Sequence, residues 1–229
     1  MDEIKAALPA LCTPHRRFEG SVSWQLTLRG VSIDGADPLG TPGRPQTVRR
    51  VRDQFGGSVE RWSSEFVVPV ELIIATICTE SGGNPADERR EPGFVSYEET
   101  PNRVSIGLMQ TLIGTARSAL GGLAEIDGPW LLEPDNSIRA GTAYIAQQRP
   151  ITLFDPPVVA CAYNAGGIYR QDGAENRWRL RQYPIGSGAH ADRFVTWFND
   201  CFRMYEADGG APELSFFALL RGGPTRLVA

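Results

Sequence analysis

The chain has 229 residues, 41% of them hydrophobic and 22% charged, which suits a domain with a full core and excludes a long disordered chain. A formal net charge of −4 argues against a nucleic-acid binder, which carries a basic stripe, and against electrostatic attachment to anionic membranes. Of the 23 basic residues only Lys5 is a lysine, a bias that high genomic GC content explains without any function.

The start, Asp2 and Glu3 followed by a short apolar patch from Ala6 to Cys12, lacks the basic opening and longer apolar region of a secretory signal. Val22, Trp24, Leu26 and Leu28 alternate with polar residues, the pattern of a half-buried strand. Asp34-Gly35 and Asp37-Pro38 signal turns, Leu39 to Pro45 reads as a loop, and a helix is expected to begin near Thr47. A second helix is expected over Ser58 to Phe66. A stronger one covers Pro69 to Ser81, with proline at its start and Gly82-Gly83 at its stop.

The most apolar run, Phe66 to Cys78, is broken by Pro69 and Glu71, and nothing approaches the roughly 20 apolar residues of a membrane span. Residues 84 to 104 are charged, contain Pro92 and Pro101, and read as a long loop. Helices follow over Gln110 to Leu120, Asn136 to Gln148, and Pro157 to Ala165, the last stopped by Gly166-Gly167. Ala189 to Tyr205 is a further helix, with Phe194, Trp197, Phe198, Cys201 and Met204 along one stripe that reads as core packing. Pro212 to Leu220 suggests one more short helix. The expectation is a mainly α (α+β) protein in three parts: a strand-containing extension over 1–54, a helical domain over 55–206 and a tail over 207–229.

The cysteines Cys12, Cys78, Cys161 and Cys201 form no CxxC pair, and His15 and His190 are the only histidines, so a metal site has little support and buried free thiols are expected. Chemistry is better sought at Glu80. It follows Ile77, Thr76 and Ile73 by three, four and seven residues and so shares their helix face. Burial and the negative end of the helix dipole both disfavour an ionised carboxylate there. A carboxylic acid kept protonated near neutral pH is what a glycosidase needs to protonate a leaving oxygen. The competing reading is a solvated carboxylate at a frayed helix end. Ser105 to Gln110 offers a glycine that lets backbone approach a ligand, and an amide at Gln110; by itself it reads equally as a helix start. Ala162-Tyr163-Asn164-Ala165-Gly166 reads alone as a helix C-terminal cap.

Taken together, Glu80-Ser81-Gly82-Gly83-Asn84-Pro85, Gly107-Leu108-Met109-Gln110 and Ala162-Tyr163-Asn164-Ala165-Gly166 resemble, in order and approximate spacing, the lytic transglycosylase family of the lysozyme superfamily, the soluble lytic transglycosylase and goose-type lysozyme group. The resemblance covers about residues 55–206 and implies a lysozyme-like helical domain that cleaves the MurNAc-GlcNAc β-1,4 bond of peptidoglycan. Glu80 would protonate the glycosidic oxygen, then take a proton from the attacking muramic hydroxyl, leaving a 1,6-anhydro product. Ser81 would orient the glycan, Gly107, Leu108, Met109 and Gln110 would line the groove floor, Tyr163 would hydrogen-bond near Glu80, and Asn164 and Gly166 would form the opposite wall. No cofactor or metal is implied. The partner would be peptidoglycan strands, met in the periplasm or cell wall by a monomer that reaches them through phage-type release or specialised secretion.

One departure stands out: Glu80 and Gly107 are 27 positions apart, a longer gap than the family usually shows. The extra residues include Glu98 and Glu99, either of which would supply the second carboxylate of an inverting hydrolase, ~6.5–9.5 Å from the acid, if the loop folds over the groove. A hydrolase on peptidoglycan or chitin is therefore one alternative, and a non-catalytic phage or secretion component that binds glycan is another. His190, at a helix start, reads as structural. Trp178, between Arg177 and Arg179, is the better candidate for stacking on sugar.

Overall fold

A computed structural model describes residues 1–43 and 45–222; position 44 in the loop expected over Leu39 to Pro45, and the last part of the expected tail, 223–229, lie outside the described residues. Helix α1 (Asp2–Leu11) is followed by an antiparallel hairpin of β1 (Trp24–Thr27) and β2 (Gly30–Ile33), in the register Trp24 opposite Ile33. Helices α2 (Gln46–Phe66) and α3 (Val70–Glu80) lead into a three-stranded antiparallel sheet of β3 (Glu88–Arg90), β4 (Val104–Ile106) and β5 (Thr111–Leu112), in the order β3-β4-β5. Then come α4 (Ile113–Ala119), α5 (Gly128–Leu132), α6 (Pro134–Gln147), α7 (Arg149–Thr152), α8 (Pro156–Ala165), α9 (Ala189–Asp208) and α10 (Phe216–Leu220). The protein is mainly helical with two small sheets, the class expected from the sequence.

Helix α3 is the centre of the molecule. Residues Val70 to Cys78 are all buried, as expected for a helix apolar on every side, and α3 packs between α2 and α9. Only Thr79 and Glu80, at its C-terminal end, reach partial exposure. Its other end holds Glu71, fully buried, whose carboxylate oxygens accept the backbone N–H groups of Phe216 and Phe217 at 3.0 and 2.9 Å and so bind α10 to the core.

Several local expectations change in the tertiary setting. The two helices expected on either side of Gly56-Gly57 are one 21-residue helix. Each glycine costs about 1 kcal/mol relative to alanine, but the stripe of Val48, Val51, Val59 and Ser63 keeps a single buried face across them. The start at Asp2, which carries no strong pattern, is helical, with Ile4 and Leu11 turned into the core. The loop expected over 84–104 contributes β3 and the start of β4, because Glu88 to Arg90 find pairing partners in Val104 to Ile106. The helix expected from Gln110 begins at Ile113 instead. Gly107 (φ 76°) and Gln110 (φ 47°) both take left-handed backbone, so residues 107–110 turn β4 back into β5.

The expected division at residues 54 and 55 falls inside α2. The preceding segment is packed into the main core through Ile4, Leu11, Trp24, Leu26 and Val31. Asn199 on α9 accepts the Val31 N–H at 2.7 Å and donates to the Leu39 carbonyl at 2.9 Å. At Gly30 (φ 116°) a side chain would meet Asn199 Oδ1 at 2.3 Å, which explains the glycine at that contact. Asp155, at the start of α8, receives the Trp24 indole N–H at 2.8 Å and pairs with His15 at 2.9 Å. A second, smaller core lies under the three-stranded sheet and gathers Val104, Ile106, Ile113, Ala116, Ile126, Leu131 and Ala140.

Candidate active site

The end of α3 opens into a cleft of about 820 Å³ whose walls come from the helices and from the three-stranded sheet. Thr79 and Glu80 reach it from α3, Tyr163, Asn164 and Gly166 from the end of α8, and His190 and Arg193 from the first turns of α9. The sheet side supplies Arg89, Ser105, Gln110 and Thr111. The Glu80 side chain is 12% exposed, which places a carboxyl group in a nearly water-free position with one open direction. Burial pushes it up to about 7, against the pull of the Arg89 and Arg193 guanidiniums. A sizeable fraction of this group is therefore protonated at neutral pH.

His190 faces Glu80, with Nε2 3.6 Å from Oε1. His190 is only 4% exposed, and burial together with Arg193 and Arg89 pushes it down to about 4, so the imidazole is neutral at working pH. Its position at a helix start gave no signal of this. Proximity to Glu80 exists only once α9 packs across α3.

The Gly107 to Gln110 turn is locked from several sides. Ser81 donates to the Leu108 carbonyl at 2.7 Å, and Ser137 accepts the Met109 N–H at 3.1 Å. Gly107 is obligatory, since a Cβ there would sit 2.2 Å from the Leu131 carbonyl oxygen. Gln110 donates to the carbonyls of Asp87 and Gly107, both at 2.9 Å, and tethers the segment before β3 to the turn. Tyr163 donates its hydroxyl to the Met109 carbonyl at 2.8 Å and receives Thr111 Oγ1 at 3.0 Å. Burial and the adjacent Glu80 raise the phenol well above its ordinary value, so it stays protonated.

The residues singled out in the sequence thus fall into two sets. Glu80, Gln110, Tyr163, Asn164 and Gly166 line the cleft together. Ser81, Gly107, Leu108 and Met109 stand behind it: Leu108 and Met109 are fully buried, and the Ser81 hydroxyl is spent on a backbone carbonyl. The Tyr163 phenol, expected to hydrogen-bond near Glu80, shares the cleft with it and bonds the 107–110 turn, which it buttresses. Glu98 and Glu99 are exposed and do not line the cleft, whereas Glu91 does and is paired with Arg89 at 3.0 Å. Trp178, expected on a sugar-facing loop, is fully buried. Its indole donates to Asp192 at 2.9 Å and its ring packs 5.4 Å from that of Trp24, so its apolar area goes to the core. Cys78, Cys161 and Cys201 are buried thiols, Cys12 is half-buried, and no group of potential metal ligands occurs among the described residues.

The family model of the transglycosylase SLT domain matches residues 57–183, more than half of the chain. The chain belongs to the SLT transglycosylase domain family. The match takes in the Glu80 helix, the 107–110 turn and the Tyr163 helix, and ends before α9. Among solved structures, the chain is similar to an inactive mutant of the lytic transglycosylase Slt from Pseudomonas aeruginosa, at 16% identity and a TM-score of 0.49 over 74% of this chain and 26% of that one. It is also similar to the 70 kDa soluble lytic transglycosylase from Escherichia coli, at 20% identity and a TM-score of 0.46 over 76% of this chain and 28% of that one. The chain therefore spans about a quarter of the length of these proteins. No curated protein sequence matches it. No helix among the described residues is long and apolar enough to cross a membrane.

Proposed function

We propose that this chain is a peptidoglycan lytic transglycosylase in which Glu80 is the sole acid–base residue. The observation that carries the reading is a carboxyl group held near 7 by burial at the floor of a large cleft, on a motif the SLT family shares. In the protonated form Glu80 donates to the oxygen between MurNAc and GlcNAc, and the C–O bond breaks as positive charge develops on the muramic ring. The resulting carboxylate then takes the proton of the muramic 6-hydroxyl as that oxygen closes on C1. The product is a 1,6-anhydro ring, no water is consumed, and the acid is restored. Tyr163 and Ser81 fix the 107–110 turn against the α3 end and so hold the cleft wall in register with the acid. Asn164, Gly166 and Gln110 are the proposed polar contacts to the glycan. The site of action is the periplasm or cell wall, and the working unit is a monomer.

The test is mass spectrometry of purified sacculi digested with the protein. Anhydro-muropeptides are expected, and Glu80→Gln slows their release by about 10²- to 10⁴-fold. Reducing-end products in their place would establish hydrolysis and send the search for a second carboxylate to Glu91, the other acidic side chain in the cleft.

A further inference from the structure

Arg193 and Arg89 raise a question that the proposed chemistry leaves open. Both line the cleft, from different elements: Arg193 stands on α9, outside the matched residues 57–183, and Arg89 on β3. Both pull Glu80 toward its charged form, against the protonation that an acid needs. Two cations beside an acid work against it unless something else uses them. Arg89 is engaged by Glu91, but Arg193 forms no ion pair among the described residues, in a chain where acidic residues outnumber basic ones by 27 to 23. Its side chain is exposed to the cleft, so a ligand reaches it without rearrangement.

We propose that Arg193, assisted by Arg89, forms an anion subsite that binds a carboxylate of the glycan strand beside the bond being cut. The inference rests on the reading of the cleft as a peptidoglycan site and adds the chemical class of substrate it selects. A planar guanidinium matches a carboxylate through two parallel N–H···O bonds, stronger than neutral hydrogen bonds. Peptidoglycan offers carboxylates in two places, the free lactyl group of a muramic residue stripped of its peptide and the acidic groups of the stem peptide. Chitin-type strands offer none. An anion seated at Arg193 also screens its field from Glu80, so binding the correct strand favours the protonated acid. The subsite thus couples recognition to readiness of the acid.

The test measures binding by calorimetry in the Glu80→Gln background, so no turnover is required. Three probes are used: a tetrasaccharide of GlcNAc alone, a peptide-free GlcNAc–MurNAc tetrasaccharide, and the same glycan carrying stem peptides. Arg193→Gln is expected to weaken one or both carboxylate-bearing probes about five- to tenfold at low salt, as for loss of a charge-assisted contact. The neutral probe should change by less than about twofold, and Arg193→Lys should recover part of the loss. An effect confined to the peptide-free glycan assigns the lactyl carboxylate, and one confined to the peptide-bearing glycan assigns the stem peptide. Equal weakening of all three probes, or of none, overturns the proposal. Should Arg193→Gln fail to fold, the intact protein decides: rising salt must weaken the carboxylate probes and spare the neutral one. Catalysis is read separately, because anhydro products released by the Glu80→Gln protein at close to the parent rate would refute the acid and leave the subsite standing.

Discussion

Glu71 and Glu80 stand on the same helix, about two and a half turns apart, and burial pushes both up to about 7. Their partners differ. Glu71 is enclosed and accepts two backbone N–H groups, from Phe216 and Phe217, which makes it the fastening point of α10. Glu80 has no hydrogen-bond donor on its carboxylate among the described residues; a neutral histidine stands 3.6 Å away and a cleft opens in front of it. Two carboxyl groups raised to about the same value therefore divide into one structural and one available. Burial sets the tendency to hold a proton, and the presence or absence of satisfied donors decides whether that proton is free for chemistry.

Mutation at each end of α3 sharpens this contrast. Glu80→Gln should lower the rate of anhydro-product formation by about 10²- to 10⁴-fold, the usual worth of a general acid, while the circular dichroism spectrum stays native. A smaller loss would mean that Glu80 is not the acid. Glu71→Ala should do the reverse. It leaves two buried N–H groups unpaired, at about 1–3 kcal/mol each, so urea unfolding should show a loss of several kcal/mol with little change in rate per folded molecule.

The pH dependence of stability tests the state of Glu80 directly. In the folded chain Glu80 holds its proton up to about 7, whereas unfolded it releases it near the ordinary 4.5. Between those values the native state binds more protons, so the Glu80 contribution to stability is full below 4.5 and is lost as pH rises through 7. Glu80→Gln removes that loss. Relative to the parent, its urea midpoint should improve steadily from pH 4.5 to 8; a relative decline over that range would contradict the buried, unpaired state of the acid. The smallest effect is expected from Glu98→Gln and Glu99→Gln, exposed and outside the cleft. Each should shift stability by less than about 0.5 kcal/mol and leave product formation within twofold in the sacculus assay.

The parts that could be read in advance are those with local causes. The apolar runs of α3 and α8, bounded by proline before and glycine after, and the aromatic stripe of α9 carry their own periodicity, and the structure has helices there. The strands β3 and β5 could not be read this way, being three and two residues long, too short for alternation to register. Trp178, between two arginines in sequence, is buried by packing on the distant Trp24 and bonding to Asp192, which no local pattern announces. Ser81 and Tyr163 looked like ligand contacts, yet their hydroxyl groups are spent on the carbonyls of Leu108 and Met109, 27 and 54 positions along the chain.

Sequence by itself determined the helical class, the placement of Glu80 at the open end of an apolar helix, and the motif order that marks the family. Periodicity, helix stops and turn-forming glycines act over a few residues and need no partner. Tertiary structure alone decided which side chains face Glu80. His190 and Arg193 arrive on α9, more than a hundred positions later, and Arg89 on the short strand β3. The electrostatics of the acid depend on distances across the cleft, and those distances are set by how α9 and the small sheet pack around α3 rather than by any local pattern of residues.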